Sequence, residues 1–447
     1  MSCANVSDKS FLLLELLRTR VVPAVGCTEP IAVSLAVAKS RELLGQVPEL
    51  IEIALSKNVL KNGMGVGIPG TGTTGLPIAA ALGAVTGDSK DNLELLKNVT
   101  QEEVSAAKSI LHRISLSKKE NTDPLYIEVI SKYNTSYSKV IIAKNHTNFV
   151  FLEKDGTVLQ NDLDYAPVNT TTTTTNNNIN NNNVDYSNIR LKDIYDFATK
   201  HEISELEFIL ESAMANRRAA EVGLTGNYGL MVSKNIERNI QQKVFSDDIL
   251  SHALKLTTAA IDARMSGENV TIYSNSGSGD QGVTATLPVL AFYEKLQQTN
   301  AGASTNRHNL IRAIALSHLV AIYIKLKLGV LSPFCGVTTA SIGAACGITF
   351  LLGGDYENMC CAIKNSAAGI IGMICDGAKN GCSIKVAAAV FSSINSATMG
   401  INNICPSSIE GIIHNDIEIT IENIASIGRD GMIKVDDLVL EMMLSKS

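Results

Sequence analysis

Three cysteines in the C-terminal third stand beside glycines at the expected ends of helices. Cys335 precedes a run of small residues that begins at Gly336, Cys375 follows an Ala/Gly-rich helix, and Cys382 opens another helix. The spacings are 40 and 7 residues, 375 minus 335 and 382 minus 375. Helix N-termini favour thiolates, which iron–sulfur clusters and zinc both require. The trio is therefore a candidate metal centre, although ordinary buried cysteines would show the same pattern.

Cys27 stands apart, in the segment GCTEP near the N-terminus. Thr28 or Glu29 as a cap and Pro30 in the first turn predict that a helix begins here. The positive end of the helix dipole is expected to lower the pKa of the Cys27 thiol and to favour a reactive thiolate. A capped core helix would have the same flanking residues, so the cysteine alone carries the functional interpretation.

The number of cysteines and the composition of residues 1–10 indicate the cellular compartment of the protein. Nine is an odd number, and residues 1–10 lack the apolar stretch of a secretory signal. We therefore expect a reducing, cytoplasmic location, in which metal ligation or catalysis is a better interpretation of the cysteines than disulfides. Cys346, Cys360 and Cys361 are expected to pack inside helices, whereas Cys3 and Cys405 are assigned no role.

The composition is that of an apolar globular protein. Of the 447 residues 45% are hydrophobic and 18% charged, tryptophan is absent, and small residues are abundant, which predicts closely packed helices. The net charge of −6 argues against a nucleic-acid partner. Residues 328–354 carry no charge and are long enough to span a bilayer. Their proline, serines, threonines and glycines favour burial in the protein core instead, and no membrane association is expected.

Hydrophobic periodicity predicts an α+β fold of mostly small-residue helices, with a β-rich section around residues 120–165 and a glycine-rich loop core. The whole chain, 1–447, is expected to form a single catalytic unit. The Thr/Asn tract at 169–183 is expected to be a low-complexity loop insertion without chemistry. Further predictions are helices at 11–18, 30–44 and 100–116, loops at 21–26 and 63–75, a strand at 50–55 and a β-like stretch at 417–421.

A second glycine-rich loop, SNSGSGDQG at 274–282, could bind a phosphate through backbone N–H groups. Arg264 is a candidate clamp for a carboxylate, with an ordinary ion pair as the alternative. The seven histidines form no metal-binding pair, and none of the lysines, Lys379 and Lys385 beside Cys382 included, stands in a setting that requires a Schiff base.

Five segments together resemble the L-cysteine desulfidase family, relatives of the iron–sulfur L-serine dehydratase α domain. They are VVPAVGCTEPIAVSLAVA, GMGVGIPGTG, SNSGSGDQG, LSPFCGVTTASIGAACG and NSAAGIIGMICDGAKNGCSIKVAAA. The resemblance implies a [4Fe-4S] cluster held by Cys335, Cys375 and Cys382, with one iron open for substrate and Cys27 as the catalytic base. A ligand set of Cys27, Cys335 and Cys375 remains an alternative. The Thr/Asn tract departs from the family pattern.

The activity implied by this resemblance is that of a carbon–sulfur lyase, which converts L-cysteine and water to pyruvate, ammonia and hydrogen sulfide. SNSGSGDQG would then lie near the amino-acid substrate. An L-serine dehydratase would share the cluster and the base. Two alternatives of other classes are a non-catalytic metal-binding or redox-sensing protein and a membrane protein of small-residue helices. A homo-oligomer is compatible with the sequence.

Overall fold

The computed structural model describes residues 4–86, 88–163, 186–299, 306–329 and 333–446. Within these residues it confirms the predicted mixture of helices and strands, with helices dominating. The Thr/Asn tract and Cys3 lie outside them, and the prediction of a single catalytic unit stays a prediction.

The α-helices are α1 (Ala4–Arg20), α2 (Thr28–Leu44), α3 (Lys57–Gly63), α4 (Leu76–Val85), α5 (Gln101–Ser109), α6 (Leu191–Lys200), α7 (Ile203–Leu206), α8 (Ile209–Thr225), α9 (Val232–Gln241), α10 (Ile249–Met265), α11 (Gly279–Leu296), α12 (Arg307–Leu328), α13 (Gly336–Leu351), α14 (Tyr356–Ile370), α15 (Cys382–Gly400), α16 (Ile417–Ser426) and α17 (Ile433–Leu444). The strands are β1 (Val21–Val25), β2 (Leu50–Leu55), β3 (Ile114–Lys118), β4 (Tyr126–Tyr133), β5 (Ser136–Ala143), β6 (Phe149–Lys154), β7 (Thr157–Asn161) and β8 (Thr271–Asn275). Short 3-10 helices lie at Ser89–Glu94 and Leu111–Arg113, and a π-helical turn lies at Ile427–Gly431.

Six strands form one sheet in the order β3-β2-β4-β5-β6-β7, and only the β2–β3 pair is parallel. The predicted β-rich section is confirmed, with four strands rather than about three. Helix α2 packs on this sheet through a buried serine cluster. The Ser40 hydroxyl donates to Ser131 Oγ at 2.8 Å, and Ser138 Oγ donates to the Ser40 carbonyl at 2.7 Å. These bonds satisfy hydroxyls that would otherwise be buried without partners.

Glycines let several helix pairs approach closely. A Cβ atom added at Gly83, Gly223 or Gly343 would lie 2.1, 1.9 or 2.2 Å from a backbone oxygen of the facing helix. These contacts join α4 to α2, α8 to α10 and α13 to α12, the carbonyls being those of Ser34, Ala259 and Ser317. No side chain fits at such distances, so the abundance of small residues is a requirement of this packing.

The long apolar helices are packed inside the protein. Helix α12 is long and apolar enough to cross a membrane, with a mean hydropathy of 1.4, but 78% of its most apolar stretch is buried against the rest of the chain. Helix α13, which contains most of the uncharged run at 328–354, is buried along nearly its whole length. Burial in the core accounts for the apolar character of both helices.

The predicted loop at 21–26 is wrong, because Val21–Val25 forms β1. This strand pairs antiparallel with β8, about 250 residues later, with Val21 opposite Asn275 and Val25 opposite Thr271. A strand that depends on such a distant partner leaves little local signal in the sequence. The pairing connects the Cys27 segment to the strand that precedes the SNSGSGDQG loop.

Two other predictions also differ from the structure. The helix predicted at 100–116 ends at Ser109, and residues 114–118 form β3, which pairs with β2. The β-like stretch at 417–421 is the start of α16, where the Asp416 carboxylate caps the helix by accepting from the Glu418 N–H at 2.9 Å. Ile417, Ile421 and Ile424 are buried at helical spacing, which a short window of β-branched residues conceals.

Two cysteines without an assigned function form a disulfide. Cys361 in α14 pairs with Cys405, 44 residues later, and their Cα atoms lie 5.3 Å apart. The expectation that the cysteines do not form disulfides, with Cys361 as a packing residue, is wrong for this pair. The chain after α15 folds back onto α14, a long-range contact that cysteine spacing does not reveal. The other cysteines that the structure describes are free.

A buried ion pair fixes the C-terminal helix. Lys61 of α3 and Asp436 of α17 lie 2.5 Å apart, with side chains 3% and 7% exposed. Asp436→Ala would leave the lysine buried without its counter-ion, so we expect a loss of about 3–5 kcal/mol in the free energy of unfolding. Asp437→Ala is the matched control. It removes the exposed pair with Lys57 and should cost about 1 kcal/mol or less. Urea unfolding measures both, and equal losses would contradict this interpretation.

Candidate active site

The segments that carry Cys335 and Cys375 are hydrogen-bonded to each other. The Cys335 N–H donates to the Met373 carbonyl at 3.0 Å, and the Cys375 N–H donates to the Pro333 carbonyl at 2.6 Å. Phe334 and Ile374 form the antiparallel bridge between them. In this pairing Cys335 and Cys375 are diagonal neighbours on one face, a relation that places Cα atoms about 7–8 Å apart. Two predicted ligands are therefore brought together from positions 40 residues apart.

Cys382 follows Cys375 across a short, cross-linked loop. Its N–H donates to the Lys379 carbonyl at 2.9 Å, and its thiol lies 3.7 Å from the Gly377 carbonyl oxygen. Asp376 forms ion pairs with both Lys379 and Lys385, so the two lysines beside Cys382 hold the loop together. Gly377 has a φ of +86°, and a Cβ atom there would lie 2.3 Å from the Lys61 carbonyl. Only glycine fits this position.

Two of the candidate ligands, Cys335 and Cys382, are buried in a poorly solvated environment. Burial, followed by the proximity of Cys375, raises the pKa of Cys335 to about 12. Burial and Asp280 also raise the pKa of Cys382. Lys325 lies near Cys335 and Cys375, and burial lowers its pKa to about 8. For Cys335 and Cys382, burial thus outweighs the backbone N–H groups and lysine charges that lower the pKa, and a bound cation would have to displace their thiol protons.

Cys27 occupies the N-cap position of α2, where the sequence predicts Thr28 or Glu29, and its side chain makes no capping hydrogen bond. The Cys27 thiol is not acidic. Burial, reinforced by the nearby Glu29 carboxylate, raises the pKa of Cys27 well above its usual value, which contradicts the predicted lowering. The Cys27 thiol donates to Glu29 Oε2 at 3.1 Å, and the Asn62 amide donates to Glu29 Oε1 at 3.0 Å. Burial opposes ionisation of Glu29, yet His146 and these two donors lower its pKa. A carboxylate therefore lies in contact with the thiol.

Arg264, at the end of α10, connects the Cys27 segment to the SNSGSGDQG loop. Its guanidinium donates to Asp280 Oδ1 at 2.7 Å and to the Gly26 carbonyl at 3.1 Å, and it is buried. Burial lowers the pKa of Arg264, but Asp280, Cys27 and Cys382 outweigh this effect and raise it. The carboxylate that this arginine binds in the structure is Asp280, the alternative considered from the sequence.

The glycine-rich segments lie against one another around these cysteines. A Cβ atom at Gly26 would contact Pro69 of the 63–75 loop at 3.0 Å, and one at Gly65 would lie 3.4 Å from Lys379. A Cβ atom at Gly336, next to Cys335, would lie 2.8 Å from the Gln281 side-chain oxygen. All five segments that carry the family resemblance therefore meet in one region.

Several buried polar atoms in this region have no hydrogen-bond partner among the residues that the structure describes. They include Asn62 Oδ1, Arg264 Nε, Gln281 Oε1 and Asn380 Oδ1. Buried polar groups in folded proteins are usually hydrogen-bonded, so these atoms are candidates for contacts with a polar ligand. Glu29, Asn62, Gln281 and Asn380 are not among the catalytic or ligand residues predicted from the sequence. Their only signal was their position inside or next to the glycine-rich and cysteine-containing segments.

The candidate ligands are three free thiols on two adjoining loops, with Lys325 and Lys385 nearby. Among the described residues, no group of three or more His, Cys, Asp or Glu side chains is arranged to hold a metal ion. Thiolates bind both iron and zinc, so the residue types fit either metal.

Comparisons with known proteins identify the family of this chain. Residues 90–441 match the family model of the serine dehydratase alpha chain. A UPF0597 protein of Parabacteroides distasonis is 45% identical, over 97% of this chain and 98% of its own length. UPF0597 proteins of Bacteroides thetaiotaomicron and Aeromonas hydrophila are 44% and 40% identical, over 97% of this chain and 97% and 96% of their own lengths.

The match extends from before β3 into α17 and includes Arg264 and the three C-terminal cysteines. It confirms the expected relation to the serine dehydratase α chain and places the protein among lyases with an iron–sulfur context. This chain belongs to the serine dehydratase alpha chain family.

Proposed function

We propose that this protein is an L-cysteine desulfidase, which converts L-cysteine and water to pyruvate, ammonia and hydrogen sulfide. Cys335, Cys375 and Cys382 would hold a [4Fe-4S] cluster. When bound, the cluster supplies a Lewis acid for the substrate carboxylate and the departing sulfur. One observation supports the proposal above all. The segments of Cys335 and Cys375 are hydrogen-bonded to each other beside the Cys382 loop, and Arg264 connects this region to the Cys27 segment.

Cys27 is the proposed base for the Cα proton of the substrate. Burial and the negative charge of Glu29 oppose the thiolate. The thiol must therefore first pass its proton to Glu29 Oε2, at 3.1 Å, a transfer that also removes this charge. The thiolate then takes the Cα proton as the bond between Cβ and sulfur breaks, and the electron pair of that bond leaves with the sulfur. The resulting aminoacrylate tautomerises and hydrolyses to pyruvate and ammonia.

The unpaired polar atoms suit a zwitterionic amino acid. An α-ammonium group brings three N–H donors, and the side-chain oxygens of Asn62, Gln281 and Asn380 accept from no donor among the residues that the structure describes. Within the same residues Arg264 Nε has no acceptor, so it could donate to an anionic group. Satisfying these buried atoms in the bound complex would favour an amino acid over a simple thiol.

L-Serine dehydratase is the second candidate, favoured by the description of the matched family. The same base and ligands would serve, with hydroxide rather than sulfide as the leaving group. Anaerobically purified protein, assayed with L-cysteine and with L-serine, separates the two. Desulfidase predicts that sulfide and pyruvate form from cysteine with a kcat/KM well above that for pyruvate from serine. The reverse order would make it a serine dehydratase.

Location and assembly complete the proposal. Free thiols and an iron–sulfur cluster persist in a reducing compartment, so we place the protein in the cytoplasm. A homo-oligomer is proposed because closed symmetric assemblies are common among soluble enzymes. A brown colour after anaerobic purification supports the enzyme, whereas bound zinc alone would support a non-catalytic metal protein.

Arg264→Lys tests the arrangement around Cys27. Lysine keeps the positive charge but cannot hold Asp280 and the Gly26 carbonyl together with the planar fork of arginine. We expect kcat/KM for cysteine to fall about 10- to 100-fold, the cost of one to two charge-assisted hydrogen bonds, with iron content unchanged. The matched control is Arg312→Lys, because Arg312 donates to the Ala198 carbonyl at 3.0 Å in another part of the fold. Equal activity of the two variants would contradict the assignment.

A further inference from the structure

The two cysteines of the Cys361–Cys405 disulfide differ in their exposure to solvent. Cys361 lies within α14 and is only 5% exposed, whereas Cys405 is exposed in the segment that follows α15. Solvent therefore reaches the disulfide from the Cys405 side. Because thiol–disulfide exchange depends on which sulfur can be attacked, an incoming thiolate would meet Cys405 and release Cys361.

A cavity of about 390 Å³ opens beside Cys405, between α14, α15 and the segment after α15. This volume is within the range of small-molecule sites. Met399 and Pro406 supply apolar wall, and Asn365, Asn395 and Glu410 supply polar groups. None of the candidate cluster ligands lines it, so it is separate from the active site.

The wall beside Cys405 is held in place by hydrogen bonds. The Asn365 amide donates to the carbonyl of Ile404, the residue before Cys405, at 2.8 Å and to the Ser396 carbonyl at 3.3 Å. Cys405 is thus anchored to α14 by Asn365 as well as by the disulfide. Breaking the disulfide would leave the Cys405 sulfur at the cavity rather than release the segment.

Glu410 gives the cavity a negative charge. One oxygen of its carboxylate, Oε2, accepts from the Ser407 N–H at 2.6 Å and from the Ser407 hydroxyl at 2.8 Å. These bonds lower the pKa of Glu410 and keep the group ionised near neutral pH. A carboxylate opposite a reactive sulfur attracts a ligand whose own thiol is accompanied by a cation.

We propose that Cys405 is a thiol–disulfide exchange site and that its cavity binds a low-molecular-weight aminothiol through Glu410. The ligand thiolate attacks Cys405 Sγ, the bond to Cys361 Sγ breaks, and the Cys361 thiolate takes a proton from water. A second aminothiol attacks the ligand sulfur of the mixed disulfide, releasing the ligand disulfide and the Cys405 thiolate. In the reverse direction, the ligand disulfide is the oxidant that restores the Cys361–Cys405 bond.

The proposal does not depend on the reaction at the cluster. It uses only the proposed cytoplasmic location, because disulfides in reducing compartments are usually transient, catalytic or redox-sensing rather than structural. Its test therefore needs no measurement of lyase activity.

The test uses the full chain with the Cys361→Ser substitution, in which a mixed disulfide at Cys405 has no intramolecular thiol partner and accumulates. The probes are cystamine, the cationic disulfide of an aminothiol, and dithiodiglycolate, an anionic disulfide. Peptide mapping by mass spectrometry should locate an adduct on Cys405, formed about fivefold faster with cystamine at low salt. Glu410→Gln in the same background should remove this preference.

The matched control is Cys360→Ser, which changes the neighbouring cysteine of α14 and leaves the pair intact. It should behave like the wild-type chain and accumulate no adduct on Cys405, because Cys361 re-forms the disulfide. An unmodified Cys405 in the Cys361→Ser variant, or equal rates with both probes, would overturn the proposal.

Discussion

Replacing any one of Cys335, Cys375 and Cys382 by alanine is expected to remove iron and lyase activity together. The three thiols lie on two adjoining loops, and each has the same proposed function as a cluster ligand. Loss of one thiolate leaves a site that cannot hold the cluster, so activity should fall to background. Iron content per chain and sulfide release, measured on anaerobically reconstituted protein, report the two losses.

Cys346→Ala is the control for these variants. Cys346 is a free, buried cysteine inside α13 with the same solvent exposure as core residues. It should keep its iron, with a modest loss of stability from the small cavity. If Cys382→Ala retained its cluster while Cys27→Ala lost it, the ligand set would be Cys27, Cys335 and Cys375, and the proposed assignment would be wrong.

Cys27→Ala is expected to keep the cluster and lose catalysis. The thiol is hydrogen-bonded to Glu29 and belongs to a different loop from the three proposed ligands. Removing a general base typically costs about 10²- to 10⁴-fold in rate. We therefore expect kcat to fall by that amount, with the iron content and visible spectrum of the wild type.

Glu29→Gln tests the same proton transfer with a milder change than Cys27→Ala. Glutamine keeps the size of the side chain but accepts a thiol proton far less readily, so kcat should fall less than in Cys27→Ala while the spectrum is retained. Bleaching of Cys27→Ala on purification would instead identify Cys27 as a ligand.

The sequence was sufficient for the elements whose signals are local. The helix that begins after Cys27, the strand at 50–55 and the β-rich section follow from hydrophobic periodicity and, for the helix, from Pro30 in its first turn. Contacts between residues that are far apart in the sequence could not be predicted from it. Strand β1 needs β8 as its partner, and the Cys361–Cys405 pair forms only because the chain after α15 returns to α14.

The chemistry of the candidate site was predicted only in part. Residue types and family resemblance singled out the four cysteines, but the helix-dipole argument gave the wrong direction for the pKa of Cys27. Burial of the thiol and the adjacent Glu29 carboxylate both oppose the thiolate, and neither could be inferred without the folded structure. The same holds for the unpaired atoms of Asn62, Gln281 and Asn380, whose significance depends on their burial.

The proposed function requires one cluster bound by Cys335, Cys375 and Cys382, and metal analysis of the wild-type chain tests this most directly. After anaerobic purification or reconstitution, iron and acid-labile sulfide should be present in equal amounts, about four of each per chain, with a brown colour that fades in air. A colourless protein that binds zinc alone, or that takes up no metal under these conditions, would contradict the account.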